Sequence, residues 1–311
     1  MLSRVADSLY WMSRYFERAD YCARVLEANF NLMLNPSKDS TEQRWDRIAA
    51  SLGLGGYPAD VDPQSAMVRL TTDASNKSSI VSCIATAREN ASQVREQISS
   101  EMWEQLNQLY HETAQSRINP DDDQQRMRMV AAVREGSYSF YGVTDATMSH
   151  GEGWHFIQLG RSMERACALS MLLDAHFSVS GGADDLDWVG LLSSCSAFEA
   201  YCKVYTADLA PQRVAEFLLL NSEFPYTVRY SAERMHTALE AISETTPARK
   251  GAQVERIIGK LRSSLAYAQI EDVMSRDMHV YLHGIIEQCR ALHTAVHAAY
   301  IEYPIETALE A

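Results

Sequence analysis

Apolar residues recur through the first 33 positions at alternating spacings of four and three. Together they form one seam: Val5, Leu9, Met12, Phe16, Ala19, Ala23, Leu26, Phe30 and Met33. This spacing places the seam on a single face of an α-helix with heptad patterning. No glycine or proline interrupts the segment before Pro36. The pattern therefore predicts one long helix of about thirty residues, about 45 Å in length at 1.5 Å per residue.

The same pattern returns 147 positions later, together with a charged motif. Residues 14–19 read Arg-Tyr-Phe-Glu-Arg-Ala, and residues 161–166 read Arg-Ser-Met-Glu-Arg-Ala. Weaker matches occur at similar offsets, such as "WDRIAASLG" with "WVGLLSSCS" and "SIVSCIATA" with "YTVRYSAER". A constant offset is the signature of a tandem duplication. We expect a single domain over 1–311 made of two sequence-related halves, approximately 1–145 and 146–311, packed as one unit about a pseudo-two-fold axis.

The remaining segments also carry helical spacing. The apolar positions from Ile80 to Ile98 predict a helix that residues 100–115 prolong, and Ser149 to Glu152 fits a capping box at the start of the second long helix. No period-two strand or Asn-Gly hairpin is found. Glycine (14) and proline (8) are scarce for 311 residues. The predicted fold class is all-α, a helical bundle of roughly ten to fourteen helices.

Composition narrows the possible partners and location. The formal net charge is −13 and the pI about 5.2, so nucleic acid and anionic membranes are poor global partners, although a local basic patch is compatible with this charge. No apolar run approaches the length of about 20 residues that crosses a bilayer. The six cysteines form no Cys-x-x-Cys pair, and the first residues lack the pattern of a signal peptide. These features favour a cytoplasmic protein with reduced thiols.

The duplicated Arg-x-x-Glu-Arg unit allows three interpretations. Arg14, Glu17 and Arg18 share one helix face, as do the residues of the second copy. They form a surface ion pair, a buried polar layer that fixes helix register, or a binding or catalytic site in which arginine clamps a carboxylate or phosphate. The sequence alone leaves the three interpretations open. The residues of the second copy are Arg161, Glu164 and Arg165.

Other polar residues are candidates for the same site. Arg88 and Arg95 share one stripe of a predicted helix, and Glu89 lies on the adjacent stripe; they are either solvated or a third polar element of the layer. Asp145 lies in a small polar stretch before a predicted helix N-terminus, where anions bind well. It is thus either part of a ligand site or part of a linker.

Two Glu-x-x-His pairs suggest a metal site, as in di-iron bundles that add a glutamate from each of two further helices. Glu17 and Glu89 would be the additional ligands. Because Glu152 already fits a capping box, and the pairs do not correspond under the 147-residue offset, we expect no metal at these residues. The pairs are Glu152 with His155 and Glu233 with His236.

The chain also lacks a P-loop, a dinucleotide fingerprint and a zinc ribbon, so we expect no resident cofactor. Three stretches in order, however, resemble the alpha-E family of bacterial helical proteins, and the likeness runs nearly the whole chain. They are "MLSRVADSLYWMSRYFERADYCARVLE", "ARENASQVREQISSEMWEQLN" and "GVTDATMSHGEGWHFIQLGRSMERA". The resemblance maps the family's glutamates to Glu17, Glu89, Glu101 and Glu164, and its arginines to Arg14, Arg18, Arg88, Arg95, Arg161 and Arg165.

Genes of that family typically lie beside a circularly permuted ATP-grasp ligase, and often beside a transglutaminase-like peptidase. The resemblance therefore implies a helical partner of a system that makes or edits amide bonds, binding the ligase or its acceptor substrate through the Arg/Glu units. One alternative is an enzyme that uses Glu17 and Glu164, with Glu89 as a further candidate, for acid–base work on an amide. The other is a purely structural helical homo-oligomer.

Overall fold

The computed structural model describes residues 1–33, 41–53, 63–115, 122–178, 185–206, 208–246 and 251–302. Within these ranges it has fourteen α-helices and no strand, so the all-α class is confirmed. A 3₁₀ turn follows α4, and a π-helical turn extends α14. The helices are α1 Ser3–Met33, α2 Thr41–Ser51, α3 Pro63–Thr71, α4 Ile80–Gln93, α5 Ser100–Gln115, α6 Asp123–Thr147, α7 Glu152–Phe177, α8 Asp185–Ser194, α9 Phe198–Tyr205, α10 Pro211–Leu220, α11 Val228–Thr245, α12 Ala252–Ala266, α13 Ile270–Ser275 and α14 Met278–Val296.

The long helices α1 and α7 form the centre of the bundle. Helix α1 packs against α4, α6, α7 and α8, and α7 packs against α1, α2, α11 and α14. The predicted seam of α1 is buried from Val5 to Leu26, but so are Tyr10, Ser13 and Asp20 on other faces. A helix surrounded by four others buries most of its circumference, so a single stripe describes only part of its packing.

One continuous hydrophobic core joins side chains from Val5 to Tyr300 in the described residues. None of the helices in these ranges is long and apolar enough to cross a membrane. The core is therefore built by the packing of amphipathic and fully buried helices around the central pair. The division of the chain into two related halves stays a prediction.

Helices α1 and α7 approach each other closely at Gly160. A Cβ atom at this position would overlap the Ser13 Oγ atom and the carbonyl oxygen of Tyr10. Ser13 in turn donates a hydrogen bond from Oγ to that carbonyl (2.9 Å). Only glycine permits this approach, which places the charged motifs of the two helices opposite each other one turn further along.

Two local predictions were wrong. The helix that begins at Ile80 ends at Gln93, and a 3₁₀ turn at Arg95–Gln97 separates it from α5. Ser99 explains the break, because its Oγ accepts a hydrogen bond from the Met102 N–H (3.1 Å) and caps a new helix. At the start of α7 the N-cap is Gly151 and makes no side-chain cap, so the predicted capping box does not form.

The close approach at Gly160 generates a stability prediction. Gly160→Ala forces the central helices apart and is expected to lower the free energy of unfolding by about 1–3 kcal/mol, the usual cost of overpacking. Gly284→Ala in α14 is the matched control, because a Cβ there meets nothing within 4 Å and alanine is the better helix former by about 1 kcal/mol. Urea unfolding followed by circular dichroism measures both. A Gly160→Ala protein as stable as the Gly284→Ala control would contradict the close approach.

Candidate functional site

The two copies of the charged motif meet where α1 crosses α7. Both arginines of the first copy bind the glutamate of the second. The Arg14 Nε atom lies 2.8 Å from Glu164 Oε2, and the Arg18 Nε atom lies 2.6 Å from Glu164 Oε1. Glu164 therefore receives one charged donor on each carboxylate oxygen.

The arrangement is reciprocal. Arg165 binds Glu17 through two nitrogens, with Nε 2.6 Å from Oε1 and Nη2 2.8 Å from Oε2. Arg161 Nε lies 3.5 Å from Oε2 of the same carboxylate. Each glutamate is thus held by the two arginines of the other helix. We call these six residues the Arg–Glu layer: Arg14, Glu17, Arg18, Arg161, Glu164 and Arg165.

The layer is almost excluded from solvent at its two carboxylates. The side chain of Glu17 is 1% exposed and that of Glu164 is 10% exposed. Burial by itself favours the neutral acids, but the arginines opposite outweigh it, so the pKa of both carboxyl groups lies below its usual range. Both side chains are anions at neutral pH with their oxygens already occupied. This geometry favours the interpretation as a buried layer over acid–base work by Glu17 and Glu164.

Two tyrosines complete the layer on the Glu17 side. The Tyr141 hydroxyl donates a hydrogen bond to Glu17 Oε2 (2.5 Å), and the Arg161 guanidinium lies over the Tyr141 ring at 3.6 Å. Arg165 lies over Tyr226 at 3.8 Å, and the Tyr226 hydroxyl donates to Asp20 (2.9 Å). Burial raises the pKa of Tyr226, so its hydroxyl stays protonated and remains a donor.

The Glu164 side is completed by a histidine. His293 Nδ1 lies 3.0 Å from the Tyr10 hydroxyl and 3.3 Å from Arg14 Nη1. Burial and then the charge of Arg14 lower the pKa of His293 to about 4. The ring is therefore neutral at physiological pH, and its Nδ1 can accept from both neighbours. Neither His293 nor Tyr226 was identified from the sequence, because no motif links these positions to the layer.

The other predicted binding residues lie outside the layer. Arg88 binds Asn107 Oδ1 through Nε (2.7 Å) and stacks on Tyr110 at 4.6 Å. Arg95 lies over Trp103 at 5.6 Å, and Glu89 and Glu101 are exposed. The helix that carries Arg88 and Glu89 therefore turns these residues toward α5 and solvent. It does not contribute a third polar element to the layer.

Asp145 lies in the last turn of α6 rather than beside a helix N-terminus. Its carboxylate is exposed and sits 3.7 Å from His150 Nε2. The two residues are close because His150 lies in the short connection between α6 and α7. The position does not bring Asp145 to the layer.

The four residues of the metal alternative are each engaged elsewhere. Glu152 lies 2.8 Å from the amino group of Met1, Glu233 binds Arg229 at 3.0 Å, and His236 lies 3.1 Å from Glu240. The ring of His155 packs edge-on against Trp154. In the described part of the chain, these four residues form no shared group of ligand atoms.

A pocket of about 680 Å³ opens beside the layer, between α1, α4 and α5. Tyr15 and Tyr110 both line it; Arg18 stacks on Tyr15 (5.3 Å) and Arg88 stacks on Tyr110. Among the described residues that line this space, Lys77 is the charged one. We call it the Tyr15–Tyr110 pocket; its lining is Tyr15, Thr72, Ala74, Lys77, Val81, Ser82, Ala85, Thr86, Tyr110, Thr113 and Ala114.

Comparison with known proteins bears on the layer directly. Residues 1–301 match the family model Alpha-E, described as a predicted alpha-helical domain with a conserved ER motif. The chain belongs to the Alpha-E family. This Alpha-E protein contains the dipeptide Glu-Arg four times; in two of the copies, Glu17-Arg18 and Glu164-Arg165, the glutamate is buried and the residues pair across the two helices. These two copies give the family's motif a physical role at the crossing of α1 and α7.

Similar curated proteins are uncharacterized. Protein Rv2567 of Mycobacterium tuberculosis and protein Mb2597 of Mycobacterium bovis are each 23% identical over 320 residues, which covers 95% of this chain. The same match covers 35% of each relative, so the Alpha-E chain spans about a third of the length of the curated relatives it matches. No solved structure matches it.

The reciprocal pairing predicts the cost of losing one carboxylate. Glu17→Gln leaves Arg165 and Arg161 without their counter-charge in a buried site, and we expect the free energy of unfolding to fall by about 3–5 kcal/mol. Glu233→Gln is the matched control, since Glu233 also precedes an arginine but its pair with Arg229 is partly exposed and worth about 0.5 kcal/mol. Urea unfolding at pH 7 compares them. Equal small losses in the two variants would show that the layer is not held by its charges.

The lowered pKa values predict a pH dependence. A glutamate in the unfolded chain has a pKa of about 4.3, and Glu17 and Glu164 have lower values in the folded protein. Their contribution to stability is therefore complete above about pH 4.3 and is lost as the pH falls through the folded values.

Unfolding midpoints measured between pH 7 and pH 3 test whether stability falls with pH in this direction. Wild type is expected to lose stability more steeply below pH 4.3 than Glu164→Gln does, since that variant has one of the two groups removed. Parallel curves for the two proteins would contradict the assignment. Glu164 is chosen because its greater exposure makes the variant easier to fold than Glu17→Gln.

Proposed function

We propose that this Alpha-E chain is a cytoplasmic helical accessory partner of an ATP-grasp amide ligase system, and that it presents or recognises the acceptor substrate. The substrate would bind in the Tyr15–Tyr110 pocket, next to the Arg–Glu layer, through a carboxylate. The family's habitual gene neighbours motivate the partner. A sequence without a nucleotide-binding motif fits a chain that contributes recognition while another protein supplies the ATP chemistry.

The observation that carries this proposal is the charge of the pocket. The whole chain has a formal charge of −13, yet Lys77 lines a pocket of about 680 Å³, and two of the tyrosines in its wall each carry a stacked arginine. Cationic groups in a concave site focus the field and attract an anion locally, even when the net charge repels it. A volume of this size suits a small peptide or a similar polar molecule.

The geometry of the layer favours a role in binding over a role of its glutamates in catalysis. Glu17 and Glu164 would have to exchange protons with a substrate to act on an amide, but their oxygens are occupied by arginines and Tyr141. Arg18 is the layer arginine most open to solvent, with 29% of its side chain exposed. It also stacks on a tyrosine of the pocket wall. Arg18 therefore connects the layer to the pocket and places a positive charge beside the pocket wall.

The curated relatives support a modular role. In each of them the matching region covers only 35% of the protein, as expected for a module that works beside another activity. The transglutaminase-like peptidase of the family's gene neighbourhoods is a further candidate partner in the same system.

We also propose that the chain consists of two related halves, approximately 1–145 and 146–311. Corresponding helices make corresponding contacts: α1 packs on α4, α6 and α8, whereas α7 packs on α11, α14 and α2. Ser79 caps α4 and Thr227 caps α11 with the same side-chain hydrogen bond. Ser13 and Gly160, which correspond under the 147-residue offset, face each other at the crossing. The reciprocal layer is what such a two-fold arrangement would produce.

The test uses the purified chain and the ATP-grasp protein encoded beside it. We expect a complex at micromolar concentration, with and without ATP, and product formation that depends on the chain. Lys77→Glu is expected to raise KM for the acceptor by about tenfold or more, equivalent to about 1.4 kcal/mol, while the complex itself is retained. Lys260→Glu, the same change of charge on α12, is the matched control.

The outcomes separate the alternatives. Absence of a complex at micromolar concentration would overturn the partnership. Turnover of an amide by the chain alone would favour the enzyme alternative. A KM for the acceptor that Lys77→Glu leaves unchanged would overturn the pocket as the acceptor site and leave the partnership standing.

A further inference from the structure

A cluster of potential metal ligands lies apart from the layer, where the end of α7 meets the start of α14. Asp174 lies in the last turn of α7, and His279 and His283 occupy the first two turns of α14. The two histidines are four residues apart, so their rings share one face of the helix. Asp174 is ten residues beyond Glu164, or about 15 Å along the helix axis.

The donor atoms of the three side chains converge. His279 Nδ1 lies 2.8 Å from Asp174 Oδ1 and 3.0 Å from Oδ2, and His283 Nε2 lies 3.9 Å from Oδ2. The two imidazole rings are 4.4 Å apart between centroids. One ligand atom from each residue falls within 4.8 Å of the others. A simple surface ion pair would require only one of the two histidines.

We propose that Asp174, His279 and His283 bind a divalent transition metal of the zinc class. Bond lengths of about 2.0–2.2 Å to nitrogen and carboxylate oxygen place neighbouring ligand atoms of a tetrahedral site about 3.3 Å apart. The observed separations of 2.8 and 3.9 Å bracket this value, so small side-chain rotations bring all three atoms onto one ion. Two imidazoles and a carboxylate are the donor set that suits zinc, and a water completes four-coordination.

The surroundings hold the ligands in place. Ser178 donates a hydrogen bond from Oγ to Asp174 Oδ1 (3.1 Å), and Asp277 caps α14 by accepting from the His279 N–H (3.0 Å). Helices α7 and α14 pack along each other, so the backbone at both sides of the site is fixed. About half of each imidazole is exposed, which leaves a path for the ion to enter. The bound metal would link the end of a central helix to the last long helix of the bundle.

Calorimetric titration of the full chain with ZnCl₂ under a phosphine reductant tests the site. We expect one equivalent of Zn²⁺ per chain and a higher melting temperature in its presence. Asp174→Asn, His279→Ala and His283→Ala are each expected to weaken binding by at least about tenfold, because even changes to groups that merely support a metal ligand cost 10- to 100-fold. Circular dichroism without metal confirms that these surface variants fold.

His236→Ala is the matched control, since His236 also faces a carboxylate, Glu240 at 3.1 Å, but belongs to no three-residue group in the described ranges. This variant is expected to bind Zn²⁺ like wild type. Titration with Co²⁺ gives a second readout, because four-coordinate Co²⁺ absorbs visible light intensely. Absence of one-equivalent binding, or binding that persists unchanged in the three site variants, would overturn the proposal.

Discussion

The exchange of charges between α1 and α7 is the constraint around which the bundle is organised. Glu17 and Glu164 are buried anions, and burying an anion is costly unless charged donors satisfy it with good geometry. Here every such donor comes from the opposite helix. The rotation and the axial position of both helices are therefore defined together, and Gly160 allows them to come close enough. The remaining helices pack on the outside of this pair and complete the core.

The sequence predicted the helices that carry strong local signals. It was least informative where tertiary contacts determine where a helix ends or which side chains meet. The long α1 and the repeated motif followed from spacing alone. The expectation that the two motifs could meet rested on the constant offset, which is typical of a symmetric duplicated arrangement. The break after Gln93 was missed because apolar spacing continues to Ile98, while a single serine cap ends the pattern. The Tyr15–Tyr110 pocket was also not predictable, since its two tyrosines come to one pocket only through the packing of α4 on both α1 and α5.

The layer and the pocket divide two tasks between neighbouring parts of the molecule. The layer has two more arginines than glutamates, but each of its arginines lies against a buried carboxylate, so its groups mainly hold the two central helices in position. The pocket is lined by Lys77, and two arginines stack on its wall tyrosines, Arg18 on Tyr15 and Arg88 on Tyr110. On a protein with a strong negative charge, the proposed anion site is therefore the pocket rather than the layer. Arg18 belongs to both parts, because it binds Glu164 and also stacks on Tyr15.

The reciprocal layer also has a consequence for the order of folding. Glu17 leaves the ribosome almost 150 residues before Arg161 and Arg165, an interval of about 7 to 30 s at common rates of synthesis. During this interval α1 cannot bury its carboxylate with the native partners. Burying Glu17 before α7 is made would leave an anion without its counter-charges, which is costly. The native packing of α1 is therefore favoured only once both motifs have been synthesised.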